Sequence, residues 1–300
     1  MQLLGAVEAM RNDGPWTLPE DLNRRNVVLS LSGGTGASNG AGGASGDRWR
    51  IGLMDYRADW TSTDQVPQRL IDAGTFGGRP FDRFDAVDPS DGGDTRRSSL
   101  SGEWQRDADG ATTRLAAYAM AYQLALYSNF TYAMERPDAG DQFAQKDDRQ
   151  VYGLNGSHAF DHTLGSLPAR SEFGFQVRQD RARVGLFNTV ARVVVDPEND
   201  TTRDDDVRET LAGVYGQTSV ELAPWARSVV GLRADHGRFR VDHRAGEGTP
   251  AARARRWCRR SSRWCWDRGR RRSCSSTPVA ASTATTRAAS PARSIRRRAW

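Results

Sequence analysis

The sequence predicts an all-β chain, an antiparallel up-and-down transmembrane β-barrel segment of about eight strands with an irregular Arg-rich C-terminal tail. Three observations predict it. Apolar side chains recur at every second position over long stretches, the signature of strands with one apolar face. The connections between those stretches alternate short and long, as an up-and-down membrane barrel requires of its two ends. No stretch approaches roughly 18 consecutive apolar residues, so a transmembrane helix is excluded. A barrel stays open, because only every second residue of its strands faces lipid.

Composition alone does not choose. Three hundred residues permit one large domain or two small ones. A mean hydropathy of −0.68 with 37% hydrophobic residues suits a soluble β protein as well as an outer-membrane one. The net charge of +6 hides two regions. Residues 244–300 hold 16 Arg against two acids, while residues 1–243 hold 27 basic and 35 acidic groups. Lys146 is the sole lysine, and all three cysteines (Cys258, Cys265, Cys274) lie in the tail. A cysteine-free body suits an exported protein without disulfides.

Residues 1–24 read as a loop-like segment. Residues 1–10 carry no basic n-region, and Glu8 interrupts their short apolar run, so they do not form a secretory signal. An exported chain needs one, and the expectation is that the true start lies upstream of Met1. Weaker strand candidates follow at 25–33, 47–60 and 96–106. The clearest strand is 111–132, where Ala116, Tyr118, Met120, Tyr122, Leu124 and Leu126 alternate with small or polar residues. Its even positions read as a broad apolar face. Tyr152, Leu154 and Phe160 continue the pattern, then Phe173, Phe175 and Val177, then Val214 through Leu222, then Val230, Leu232 and Ala234. No helical period is convincing anywhere.

Short turns are expected at 107–110, 161–169 and 223–225, with a Gly/Ser-rich link near 34–46. Long polar connections are expected at 61–95, 133–148 and 184–206. Gly33–Gly36 and Gly40–Gly46 lack a Walker lysine and a following helix, so they do not read as a phosphate cradle. Candidates for a polar, inward-facing surface are Glu172, Gln176, Arg178, Asp180, Arg233 and Asp235; the alternative is a solvated outer surface. Tyr127, Phe130, Tyr132, Phe160 and Trp225 suit an interfacial aromatic girdle or an ordinary core rim.

Residues 211–217 (LAGVYGQ), 220–225 (VELAPW) and 229–235 (VVGLRAD) resemble the barrel signature of the TonB-dependent outer-membrane receptors. There a strand with a Tyr-x-Gln step turns at a Trp and returns as a strand ending in Gly-Leu-Arg-x-Asp. Residues 13–18 (DGPWTL) and 26–31 (NVVLSL) are similar to a loop and strand of the same family. The likeness covers residues 12–243, and the partial barrel is placed at 25–243. The resemblance implies active uptake of a scarce nutrient such as a ferric siderophore or cobalamin, in contact with outer-membrane lipid. It also implies energy from the TonB complex, delivered through a plug that this chain lacks. A signal, a TonB box and a plug are all missing from the pattern, so the chain reads as a fragment of the middle of such a barrel.

The tail breaks the pattern of the body. Its Arg-, Ala- and Ser-rich composition reads first as a GC-rich gene translated out of frame, or else as a disordered tail. One alternative is an Arg-rich nucleic-acid arm with interleaved Trp257, Trp264 and Trp266. Another is a metal site at the three cysteines, but the spacing holds no Cys-x-x-Cys pair. Trp300 mimics a terminal aromatic, though its surroundings are not strand-like.

Enzyme signals are absent: His158, His162, His236 and His243 belong to no HExxH motif, and no GxSxG occurs. Asp204–Asp206 with Arg203 and Arg208 read as a solvated charge run in a long loop, or more sharply as a polar or metal-chelating contact at an extracellular mouth. No catalytic, cofactor-binding or metal residue is assigned, no cofactor is expected, and the ligand-binding residues stay unassigned. The competing reading is a soluble all-β binding module with an Arg-rich nucleic-acid tail. The receptor reading, which needs no nucleic acid, is preferred for its loop parity.

Overall fold

The computed structural model describes residues 1–35, 45–129, 134–136, 140–246, 251–268, 271–278 and 282–284, those after 250 by backbone alone. Three strands come first: β1 (Gln2–Asn12), β2 (Leu22–Thr35) and β3 (Gly46–Thr61). A long connection then holds a short helix, α1 (Gln68–Ala73), and a hairpin of β4 (Thr75–Phe76) and β5 (Arg79–Pro80). The long strands are β6 (Gly92–Ala108), β7 (Ala111–Ser128), β8 (Phe143–Leu164), β9 (Leu167–Asn188), β10 (Thr201–Ala223) and β11 (Ala226–Gly246). β12 (Ala251–Arg268), β13 (Arg271–Pro278) and β14 (Ser282–Ala284) end the described chain.

Twelve strands form one antiparallel sheet in the order β1-β2-β3-β6-β7-β8-β9-β10-β11-β12-β13, with β14 also against β12. Among the described residues the two ends of that path do not pair with each other. The sheet is open, which corrects the expected barrel of about eight strands. The physical reason is simple. Alternation and turns decide which neighbours pair, whereas closure depends on the two end strands, about which local pattern says nothing. No helix among the described residues is long and apolar enough to cross a membrane.

The eight sequence candidates correspond to β2, β3 and β6–β11; β7 ends at Ser128, short of the 132 expected, and the others run longer than their alternating cores. The additional strands lie where side-chain alternation is missing. In β1 both faces are apolar or small (Leu3, Val7 and Ala9 on one, Leu4, Ala6 and Met10 on the other), so a segment expected as loop pairs along its length with β2. The tail, expected to be irregular, places Ala251–Trp266 against β11. A ladder needs backbone N–H and C=O groups, not an alternating side-chain pattern.

The turns follow their residues. Asp109 and Gly110 join β6 to β7 with φ of 51° and 74°, the two positive angles that a type I′ hairpin demands. Gly165, at 64°, opens the β8–β9 turn. Pro224 and Trp225 join β10 to β11. At the opposite end stand the connections 13–21, 62–91, 129–142 and 189–200. From β3 to β11 long and short connections therefore alternate, whereas the 36–45 link on the short-turn end is as long as 13–21 on the other; strand pairing also extends into 143–148, 184–188 and 201–206, which were expected to be loop.

Register reveals the two faces. Leu29, Leu53, Leu100, Ala119 and Tyr152 are successive cross-strand partners, as are Leu115, Gly156, Phe175, Val214 and Ala234. This face is apolar and largely exposed. The even side chains of β7 lie on the other one, a correction to their reading as the greasy side. Tyr118 pairs with Gly153, and Gly153 with Arg178. A β-carbon on Gly153 would run into the Tyr118 ring, and one on Gly174 into Tyr215. Each ring covers a glycine on the neighbouring strand, so its apolar area is spent on backbone and its hydroxyl is left among polar groups.

Candidate functional site

Glu172, Gln176, Arg178, Asp180, Arg233 and Asp235 all fall on the polar face. The register chain Asn155–Gln176–Gly213–Asp235 and its neighbour Ser157–Gly174–Tyr215–Arg233 carry them there. The Arg178 guanidinium donates twice to Asp180, at 2.7 Å each. Arg233 donates to Asp235 at 2.9 Å and to Gln176 at 3.0 Å, and lies 6.0 Å from the centre of the Tyr215 ring. The Tyr215 hydroxyl and the Gln217 amide both donate to Glu172, at 2.9 and 3.0 Å. Of these, Gln176, Arg178, Arg233 and Asp235 border a shallow groove of about 460 Å³ that Tyr118 also lines. The arrangement presents hydrogen-bond donors and acceptors of both charges on one face.

The second assembly lies at the long-connection end, where sequence periodicity gave no warning. Gln142 is 1% exposed and sits between three connections. Its amide nitrogen donates to Asp91 at 2.9 Å and Ser90 at 2.8 Å; its carbonyl accepts from the Thr189 hydroxyl at 3.0 Å and the Arg192 backbone at 2.8 Å. The Arg192 guanidinium reaches the carbonyls of Ser90 at 2.6 Å and Asp91 at 3.0 Å, and stands 5.3 Å from the Tyr127 ring centre. Arg136 donates to the Gln142 backbone carbonyl at 2.6 Å. Burial pushes the Asp91 carboxyl up to about 7, and the negative charges of Asp88 and Asp64 add to the effect while the Gln142 amide opposes it. Nothing in the spacing pointed here, because the partners are separated by tens of residues of aperiodic polar sequence.

Asp204, Asp205 and Asp206 are not in a loop. They open β10, and arginines take up their charge: Arg183 donates to Asp204 at 3.0 and 2.7 Å, Arg244 to Asp206 at 3.0 Å, and Arg203 to Asp205. His243 Nδ1 lies 3.0 Å from Asp205. Among the described residues no group of three or more His, Cys, Asp or Glu is placed to hold a metal. Tyr127 and Phe160 stand at opposite ends of the sheet, and Trp225 is exposed at its turn. Phe160 stacks on Phe173, with ring centres 6.3 Å apart. Phe130, Tyr132, Trp300, residues 36–44 and the side chains of the tail cysteines and tryptophans lie outside the described residues.

A family model described as "TonB dependent receptor-like, beta-barrel" matches residues 21–264. The chain belongs to that family. Membership in this receptor family also settles the enzyme question: the chain is not an enzyme. Among solved structures, it is similar to the unliganded ferric citrate transporter FecA, with a TM-score of 0.60 and 11% identity, over 89% of this chain and 42% of that one. The open form of the ferric-catecholate import receptor Fiu from E. coli K12 gives a TM-score of 0.59 and 12% identity, over 89% and 48%. Its closed form gives 0.56 and 12%, over 88% and 44%. At such identities the likeness is one of fold. The receptor-like chain spans less than half the length of these structures. No curated protein matches it.

Proposed function

We propose that this receptor-like chain serves in the outer membrane in the active uptake of a scarce nutrient such as a ferric siderophore. The observation that carries the reading is the sorting of side chains by register. Six charged or amide residues converge on one face of a family-matched sheet, while the opposite face exposes Leu29, Ile51, Leu100, Phe173, Val214 and Leu232. Exposed apolar area on that scale marks contact with another apolar phase, and outer-membrane lipid supplies one. The polar face and the long-connection end then meet the ligand and the aqueous parts of the receptor. The TonB complex supplies energy through a plug. The receptor body is placed at 25–243, with 244–300 as a compositionally separate tail. The test is uptake of radio-iron siderophores by iron-starved cells with and without the gene. Loss of uptake for one siderophore class, restored by the gene, is expected; unchanged uptake across ferric citrate, catecholates and hydroxamates overturns the reading.

A further inference from the structure

On the apolar face, the strands run out of apolar side chains toward the long-connection end and into arginine. Arg181 of β9 is the direct register partner of Arg208 of β10, and Arg208 of Arg240 of β11. A second triple repeats the arrangement, with Arg25 of β2 opposite Arg57 of β3, and Arg57 opposite Arg96 of β6. All six are exposed. Directly opposed partners stand about 4.5–5.5 Å apart at Cα, so like charges there repel and destabilise the pairing. The local acids answer only part of that charge. Asp55 is shared by Arg57 at 3.0 Å and Arg96 at 3.9 Å, and Arg240 holds Asp242 at 2.8 Å. Arg25, Arg181 and Arg208 make no ion pair with a described residue. Asp148, Asp206 and Asp242 share the row of Arg183, one step farther from the apolar belt than the Arg181 triple.

We propose that these two arginine triples form a docking surface for lipid headgroups that carry more than one phosphate. The proposal rests on the reading that the apolar face meets lipid. Three features choose this occupant. The triples border that face: Val177 and Arg181 share one side of β9 and lie about 13 Å apart along the strand. A single phosphate answers one or two guanidinium groups, whereas three in a row across about 10 Å suit several phosphates fixed in one layer. The cation is arginine each time, and its planar fork binds phosphate oxygens bidentately where lysine offers a point charge.

The test is flotation of the full chain with vesicles of phosphatidylcholine alone, with added phosphatidylglycerol, and with added bisphosphorylated lipid A. Preference for the lipid A vesicles is expected, with phosphatidylglycerol intermediate and the preference lost on dephosphorylated lipid A. The variant R181Q/R208Q/R240Q is expected to lose binding by roughly fivefold per arginine, about a hundredfold in all. R69Q/R79Q/R83Q, in the 62–91 connection, is expected to stay within about twofold, because those charges lie away from the headgroup layer. β circular dichroism checks folding, and the dephosphorylated lipid tests the wild-type chain without any substitution. Equal flotation on phosphatidylcholine and lipid A overturns the arginine surface and leaves the apolar face standing. Equal loss in both variants overturns it also, as a nonspecific charge effect. Absence of flotation on every vesicle overturns the lipid-facing reading and this proposal with it.

Discussion

Asp91 makes the long-connection end responsive to pH, in a direction fixed by its burial. The carboxyl is 1% exposed and titrates near 7, against 3.8 for an ordinary aspartate. A group whose pKa is raised in the closed structure stabilises that structure fully below the ordinary value, and the contribution is lost as pH rises through the raised one. Opening of the knot formed by Asp91, Gln142, Thr189 and Arg192 therefore becomes easier from about pH 4 to about pH 7, then levels off. Each pH unit well inside that window is worth about 1.4 kcal/mol and less on reaching the raised value, so the opening constant rises roughly fiftyfold between pH 5 and pH 7. Amide hydrogen exchange at Thr189, whose N–H donates to the Gln142 carbonyl at 2.8 Å, reads that opening directly. After correction for intrinsic exchange, the wild type is expected to follow the rise. Asp91→Asn, which keeps an oxygen to accept from Gln142, is expected to be flat with pH. A corrected wild-type rate that is equal at pH 5 and pH 7, or a slope that survives in Asp91→Asn, refutes the reasoning.

Other perturbations follow from the same geometry. Gln142→Ala strips partners from Asp91, Thr189 and the Arg192 backbone, and at about 1–3 kcal/mol for each buried group left unsatisfied it is expected to raise exchange in all three connections together. Gly153→Val drives a side chain into the Tyr118 ring and is expected to cost about 1–3 kcal/mol in urea unfolding, with Tyr118→Ala in the same chain restoring part of it. Asp205→Ala removes the carboxylate that Arg203 and His243 share, and a loss of about 1–3 kcal/mol is expected, measured by the same unfolding. Gly110→Ala, at a φ of 74°, is expected to lower stability by about 1–2 kcal/mol.

Much of the sheet was legible because strand alternation, turn residues and loop parity are local properties. Asp109–Gly110 marks its hairpin by residue type alone, and Phe173 through Val177 show their face by period. The side taken by β7 was not legible from β7. Tyr118 and Met120 look greasy in sequence, yet register with β8 and β9 puts them beside Arg178 and Asp180, and register is a relation between strands. The same limit hid the arginine triples, which exist only once Arg181, Arg208 and Arg240 are aligned. It hid the Asp91–Gln142–Arg192 knot as well, whose members come from three separate connections. Closure lay beyond local pattern altogether, and the ends of the sheet proved open.

Where this molecule is most tightly filled bears on how it tolerates change. Asp91, Gln142, Thr189 and Asp205 are among its most completely enclosed side chains, and all sit at the rim, while the middle of the sheet, Val151 apart, exposes most of its large apolar side chains. The usual map of evolutionary freedom is thereby turned over. Swaps among apolar residues along the strands should pass almost unnoticed, and insertions or polar exchanges within the long connections should be purged. A library of substitutions across the chain would show intolerance rising toward the loops, the reverse of the gradient familiar from water-soluble domains.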